Sequence, residues 1–522
     1  MPDETACLFA DWPSKPASAP SSPTPVEEKL RDAKPRFKPI DRKQTFFRTV
    51  DVESLIEENH AARAIWSVVT QLDLSAFSEQ ARAVEGNAGR AAIDPHLLAS
   101  LWLYAYSQGV GSAREISRLC AYHPAYQWLT GAEELSGHTL SDFRVEHQAA
   151  LEKLFVEVIG VLSAEGFVKL QRVMQDGTKI RANAAEDSFR RRQTLEEHLE
   201  QARAQCEALA QRGESEESLV QLRARERAAQ ERVQRLEAAV AQIQQLEAES
   251  GEEKRVSSTD PEARRMKQPD GGFAPSYNVQ TTTAAVGKAI VSLDVTQQGN
   301  DFKQLAPAID RVERTLASKP EQAVADGGYI SQENILETQT NGVELIGPAM
   351  DTAAKAAQCY QRAGVKPEFY ADRFRFDATE NCYYCPQGMR LNCQGKTKNE
   401  LVVIHKYQAR ATDCAGCASK ADCCPKNEKT GRSVQRSEYH QAIDDFQQRM
   451  ATPERQQIYR QRSEVAETPH LWMKAKFGLR QFHVRGLVKA GQEALWAALT
   501  YNVVLLLRYR RQASNAGPGA ST

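Results

Sequence analysis

The chain of 522 residues lacks a charge excess of either sign: 67 Lys and Arg stand against 68 Asp and Glu, for a net charge of −1. No overall basic field therefore announces a nucleic-acid partner. Any such partner has to be met by local patches such as "RFRFD", "RRRQ" and "KAKFGLRQFHVRG", and most charge runs are only solvated faces. Long apolar runs are also missing. "LLASLWLYAY" and "ALWAALTYNVVLLL" fall short of the roughly 18 to 20 residues that a membrane-spanning helix needs. No basic segment leads into an apolar stretch at the N-terminus, so no signal peptide is expected. The expectation is a soluble, cytoplasmic protein without a membrane partner, in which eleven cysteines serve as thiols or metal ligands and not as disulfides. The length suits two to four domains.

Residues 1–45 are rich in Pro, Ser and Ala and read as a disordered tail. Residues 46–165 have a helical pattern, with Asp94 and Pro95 as an N-cap and first-turn pair. Short helices lead into one carrying His138, Arg144 and His147. That is the pattern of a helix-turn-helix presenting a basic edge, and equally of an ordinary helical bundle.

Strand signals begin at "FVKLQRVMQD", and an α/β domain is expected over 166–355, with strands, crossover helices and a hairpin around "AVGKA". It is interrupted at 186–250 by a helical hairpin with heptad spacing. Its first arm carries Leu195, Leu199, Ala202, Cys206 and Leu209; a break at Gly213 precedes Leu219, Leu222, Glu226, Ala229, Val233, Leu236, Val240 and Ile243. This predicts an antiparallel coiled-coil arm, either a spacer or an oligomerisation element. A cysteine-rich segment (356–440), further helices (441–510) and a second disordered tail (511–522) complete the chain.

In "VMQDGTKIRANAA" a short apolar run is expected to end on Asp176, and a second, "EQAVADGGYI", on Asp326. A single Asp-Gly is ordinarily a turn. Two acids in matching settings at strand ends are where α/β sheets gather chemistry, and a third is expected from the helix "PERQQIYRQRSEVAETPHLWMKAKFGL", which offers Glu464 and Glu467. Two aspartates and a glutamate suit two hard divalent cations, Mg²⁺ or Mn²⁺, for phosphodiester displacement. Separately, "CYYC" (Cys382, Cys385) and "CAGC" (Cys414, Cys417), followed by Cys423 and Cys424, form a zinc signal, because each pair can present two thiolates to one tetrahedral ion.

Four motifs occur in order: "DGTKIRANA", "STDPEARRMK" with "GFAPSYNVQ", "VADGGYIS", and the glutamate helix leading into "RGLVKA" and "YNVVLLL". In this order, from about Phe46 to Leu507, the chain resembles bacterial insertion-sequence transposases of the DDE type, in the branch with a cysteine-containing insertion in the C-terminal half. The resemblance implies a ribonuclease-H-like core in which Asp176, Asp326 and Glu467 hold two Mg²⁺ (or Mn²⁺), with Glu464 as the alternative third acid. It implies DNA contacts by Tyr459, Arg462 and Lys474; Arg144 is a further candidate on the helical domain. The sequence departs from the family pattern at His470 and Leu471, where a Phe-Gly pair usually follows the glutamate. For the structural Zn²⁺ the resemblance favours Cys385, Cys414, Cys417 and Cys423, with Cys382 a substitute for Cys423 and Cys393 and Cys424 as spares. The implied activity is binding of terminal inverted repeats in double-stranded DNA, cleavage of the element's ends and joining of the 3′-hydroxyl to target DNA, by a homo-oligomer at the nucleoid. The alternatives are a DNA-binding protein without catalysis and a metal-dependent nuclease without strand transfer.

Overall fold

The computed structural model describes residues 42, 43, 45, 49–79, 91–211, 219–348, 352–399, 402–426, 430–438 and 440–516. The expected N-terminal tail falls almost wholly outside these residues, as does the break at Gly213. Met1–Val50 separates as its own unit, and everything below concerns Asp51–Thr522.

The N-terminal helices are α1 (Ala61–Val69), α2 (Pro95–Ser107), α3 (Ala113–Tyr122), α4 (Pro124–Thr130), α5 (Gly137–Glu146) and α6 (Gln148–Ala164). Asp94 caps α2 by accepting from the His96 N–H at 2.8 Å, with Pro95 in the first turn. The run Leu98–Tyr106 is buried on every side, which makes α2 a core helix and not a membrane span. Among the described residues no helix is long and apolar enough to cross a membrane.

The central sheet follows. Its strands are β1 (Lys169–Arg181), β2 (Arg264–Lys267), β3 (Phe273–Val286), β4 (Ile290–Thr296), β5 (Gln322–Ala325) and β6 (Glu344–Ile346). β3 runs antiparallel to β1, β2 and β4, while β1, β5 and β6 are parallel neighbours. The crossovers are α9 (Leu305–Leu316) and α10 (Gln332–Thr340). One expectation is corrected here: β1 does not end at Asp176. It continues to Arg181, because β3 pairs with it from Asp176↔Thr281 to Arg181↔Ser276. Asp176-Gly177 is therefore strand and not turn, and the glycine is there for close approach. A Cβ on Gly177 would lie 2.4 Å from Gln280 Nε2 and 2.7 Å from Asp301 Oδ1.

Between β1 and β2 two helices project, α7 (Arg192–Ala210) and α8 (Leu219–Ser250). Leu195, Leu199 and Ala202 pack on Leu236, Ala239 and Ile243. Arg192 lies 3.9 Å from Glu247 and Arg203 2.8 Å from Glu237, so the helices run in opposite directions. After β6 and α11 (Thr352–Arg362) comes a second, antiparallel sheet of β7 (Arg375–Asp377), β8 (Cys382–Tyr384), β9 (Arg390–Asn399), β10 (Val402–Ala409) and β11 (Ser433–Ser437), in the order β11-β10-β9-β8-β7. It has its own apolar cluster, built on Phe369, Tyr383, Leu391, Tyr407 and Val434.

Helices α12 (His440–Met450), α13 (Pro453–Arg460), α14 (Arg462–Leu471) and α15 (Leu487–Ala516) return the chain to the first core. α15 continues to Ala516, past the expected start of a tail at residue 511; residues 517–522 lie outside the described set. Its alanines (Ala490, Ala494, Ala497, Ala498) are fully buried and allow close packing. Asn502, also fully buried, acts as a strand edge: its amide donates to Ile290 O (2.8 Å) and accepts from Ile290 N (3.0 Å). Tyr501 and Tyr509 donate to the carbonyls of Lys288 and Gly287 in the β3–β4 turn, each at 2.9 Å. These contacts give "YNVVLLL" a structural role, and "STDPEARRMK" has one too. Asp260 accepts from Gly486 N–H (3.2 Å) and Glu262 from Leu487 N–H (2.9 Å), so both carboxylates cap the start of α15.

A buried ion pair joins α15 to the N-terminal helices. Glu493, with no exposed surface, lies 3.4 Å from the Arg144 guanidinium and 2.7 Å from His483 Nδ1, and accepts from His483 N–H at 2.9 Å. Arg144 also donates to Gly111 O at 2.7 Å and lies over the Trp102 ring. Replacing Glu493 with Ala leaves the guanidinium buried without its counter-charge. A loss of about 3–5 kcal/mol in denaturant unfolding is expected, with a smaller loss for the double replacement Arg144→Met/Glu493→Leu.

Candidate active site and cysteine cluster

The parallel ladder of β1 and β5 ends at Gln175↔Ala325. Asp176 and Asp326 are the next residues on two neighbouring strands, which in a sheet run about 4.8 Å apart. α14 crosses in front of them. Arg462 Nη1 lies 3.6 Å from Asp176 Oδ1, and His470 Nδ1 lies 3.6 Å from Asp176 Oδ2. The other ring nitrogen of His470 is 2.7 Å from Thr281 Oγ1, on the residue that faces Asp176 across the β1–β3 ladder. Pro469 lies within the last turn of α14, and the chain continues through a π-helical turn, Trp472–Lys476. Irregular helix of this kind is common beside functional sites.

The two aspartates are tuned in opposite directions. Burial alone would push the Asp176 carboxyl up, but the His470 imidazole, the Arg462 guanidinium and the Gly177 N–H together hold it below the usual carboxylate range. Asp326 is raised. Burial is the main cause and the charges of Asp176 and Asp301 add to it, against the opposing Gly328 N–H and Arg462.

Asp301, in the loop before α9, is an acid that sequence reasoning missed. Its Oδ1 accepts from Asn278 Nδ2 (2.8 Å) and Gln280 Nε2 (2.6 Å), both on β3. A Cβ built on Gly328 would lie 3.0 Å from Asp326 Oδ1 and 3.8 Å from Asp301 Oδ2, so the two carboxylates flank one glycine. The charges of Asp301, Asp176 and Asp326 all act on the Tyr329 hydroxyl, whose pKa is raised first by burial. No local pattern marks Asp301, because it comes from a loop that only the fold brings back to β1. His470 entered the sequence reading only as a departure from the resembled pattern and not as a site residue.

The other expected residues are distributed as follows. Glu467 is exposed on α14, with no hydrogen bond or ion pair to Asp176 or Asp326. Glu464 is exposed and pairs with Lys288 of the β3–β4 turn at 2.5 Å. Tyr459 is half-buried against the main core. Lys474 is close enough to Asp176 and Arg480 to sense both charges; burial lowers its pKa, Asp176 opposes and Arg480 adds. Arg144, expected on a DNA-facing edge, lies inside the protein at 4% exposure, because Glu493 and Trp102 hold it there.

Beside the second sheet Cys385, Cys414, Cys417, Cys423 and Cys424 line one cavity of about 20 Å³. The Met389 N–H donates to Cys385 Sγ (3.2 Å) and the Arg432 N–H to Cys414 Sγ (3.4 Å). Burial pushes the Cys423 thiol up to about 12; the neighbouring cysteines act in the same direction and Arg432 opposes them. Cys382 is buried in β8 outside this cavity, and Cys393 faces His405 at 3.8 Å. Among the described residues no group of three or more His, Cys, Asp or Glu side chains is arranged to hold a metal ion.

An α/β sheet with paired acids at neighbouring strands, crossed by a helix that brings Arg462 and His470 to them, is consistent with a DDE transposase domain. Residues 384–507 match the family model described as "Transposase DDE domain", and residues 50–146 match "Transposase domain (DUF772)". The two matches fall on separate stretches of the chain. Asp176, Asp301 and Asp326 lie between the two matched stretches. No curated protein matches the chain. Among solved structures, it is similar to the piggyBac transposase in a synaptic complex with hairpin DNA, at 8% identity and a TM-score of 0.32, over 88% of this chain and 76% of that one.

The opposite tuning of the two acids gives opposite stability effects. With its folded pKa above 3.8, ionised Asp326 disfavours the fold, and this cost is complete above the raised folded pKa and vanishes below 3.8. Asp326→Asn is therefore expected to stabilise the metal-free protein at pH 7 by up to about 1 kcal/mol, with the gain fading on acidification. Asp176 contributes stability above 3.8 that is lost as pH falls through its lowered folded pKa. Asp176→Asn is expected to destabilise at pH 7, and paired denaturant titrations at neutral and acid pH check both signs.

Proposed function

We propose that the protein is a DDE-type transposase that binds the terminal inverted repeats of an insertion sequence, cleaves the DNA ends and joins the 3′-hydroxyl to target DNA. The observation that carries the reading is that Asp176 and Asp326 each follow directly on Gln175 and Ala325, the last pair of the ladder between adjacent parallel strands. The strand order supports a ribonuclease-H-like core: an antiparallel set β4-β3-β1 followed by parallel β5 and β6. The α7–α8 arm would be a coiled-coil spacer.

The donor chemistry fits Mg²⁺ or Mn²⁺, because hard carboxylate oxygens of three acids neighbour one another; burial raises Asp326 first, and the charges of Asp176 and Asp301 add to it. Asp176 and Asp326 would hold the metal, with Asp301 beside them and Glu467, or Glu464, brought in from α14. When bound, such ions activate an attacking oxygen and stabilise the leaving one. The chain's own residues do the rest. His470, anchored on Thr281, fixes the orientation of the Asp176 carboxylate. Arg462, with its buried Nη1 lacking a hydrogen-bond partner, and half-buried Lys474 supply positive charge for a DNA phosphate at the acids. The protein would act as a homo-oligomer on DNA. A second reading, a DNA-binding protein that never completes the metal site, draws on the exposed position of Glu467.

Mg²⁺-dependent nicking of a labelled duplex carrying the element's ends tests the reading. Asp176→Asn and Asp326→Asn are expected to lower the rate by more than about 100-fold while DNA binding persists. Asp301→Asn, Glu464→Gln and Glu467→Gln then identify the third acid, as the one change that matches that loss. A wild type that binds the ends but nicks with neither Mg²⁺ nor Mn²⁺ sinks the enzyme reading in favour of the second one.

For the cysteines, thiols around one small cavity, with backbone N–H groups aimed at Cys385 and Cys414, fit a structural Zn²⁺ held by Cys385, Cys414, Cys417 and Cys423. Elemental analysis is expected to find zinc in the purified wild type and little in Cys417→Ser. The same replacement at Cys393 should leave the metal content unchanged.

A further inference from the structure

We infer that the β9–β10 ribbon is a second duplex-DNA contact, in which Lys396, Lys398 and Lys406 engage phosphates away from the acid site. The inference rests on the transposase reading for the identity of its partner.

Within a chain whose charges balance, residues 390–398 and 402–410 contain no Asp or Glu. Arg390 is bound to Glu380, and His405 to Glu438 at 2.6 Å. Lys396, Lys398, Lys406 and Arg410 are exposed and form no ion pair among the described residues.

The ribbon also stands free of its sheet. β8 pairs with β9 only from Arg390 to Asn392, and β11 pairs with β10 only from Ile404 to Gln408. From Cys393 to Asn399 the outer edge of β9 therefore has no strand beside it among the described residues.

Register fixes where the charges point. Lys396 faces His405 across the ladder and Lys398 faces Val403, so these two lysines share one face, about 7 Å apart along the strand. Lys406 lies on the opposite face, opposite Gly395, which has no side chain to cover it. The register shift between Cys393 and Gly395 adds local twist to the ribbon. A two-stranded ribbon with cations on both faces suits the major groove of B-DNA, about 12 Å wide with phosphates on either wall. Lysines on an open strand edge also have a simpler use, which is to stop edge-to-edge pairing between copies. The two roles differ in what salt does.

The test is a salt series of affinities for a labelled duplex of mixed sequence, comparing the full-length wild type with Lys396→Gln/Lys398→Gln/Lys406→Gln. Weaker binding is expected, with the slope of log affinity against log salt reduced by about 0.9 for each phosphate that a lysine no longer neutralises. The triple Lys→Arg variant should restore the slope, and the melting temperature should not move. A Gln variant that keeps the wild-type slope and merely aggregates overturns this inference alone, leaving edge protection. A wild type that binds no duplex overturns it together with the transposase reading.

Discussion

The Glu493 carboxylate is the point on which the rest of the first core depends. It is fully buried, and four groups from two parts of the chain converge on it: Arg144 from the N-terminal helices, and the His483 ring and the backbone N–H groups of His483 and Val484 from the segment just before α15. A charge in that position is tolerable only when it is paired and hydrogen-bonded, so the N-terminal helices and α15 must dock together. Gly111 belongs to the same constraint. Its carbonyl receives the guanidinium, and a Cβ there would come within 2.6 Å of the His483 ring. The pair links the two stretches that match transposase domains.

What α15 fixes at one end it transmits along its length. Asn502, Tyr501 and Tyr509 grip the β3–β4 turn, and Lys288 of that turn holds Glu464 on α14. The helix that carries Arg462 and His470 is in this way tied to the strand that carries Thr281. Near Asp176 three positive or potentially positive groups then face acids drawn from β1, β5 and the loop before α9. The balance is unequal, favouring the charged form of Asp176 and the neutral form of Asp326. Such local disagreement is common where a site is built for a ligand charge and not for stability.

Much of the fold was legible in the chain. The helical run from residue 50 to 165, the hairpin around "AVGKA", and β5, α10 and β6 in that order all follow from periodicity and turn chemistry, which are local. The helical arm was legible for the same reason, although Ala239 takes a place in its interface beside the expected Val240. Residues whose surroundings come from far away were misread. Arg144 looks like an exposed cation until Glu493 is brought to it from 349 positions along the chain. Asp176-Gly177 looks like a turn until β3 is laid beside it.

By itself the sequence determined which segments are helix and strand, that Asp176 and Asp326 each follow a short apolar strand run, and that paired cysteines belong to one segment. Each rests on patterns spanning a few residues, within reach of local sterics and hydrophobic periodicity. Only the tertiary structure decided that these aspartates follow directly on the last pair of one parallel ladder, that Asp301 joins them from a loop while Glu467 faces solvent, and that Cys382 and Cys393 stand apart from the other thiols. Those outcomes depend on strand order, on which face of α14 meets the sheet and on how the second sheet closes. They are set by burial of apolar surface across the whole chain, which no short window of sequence contains.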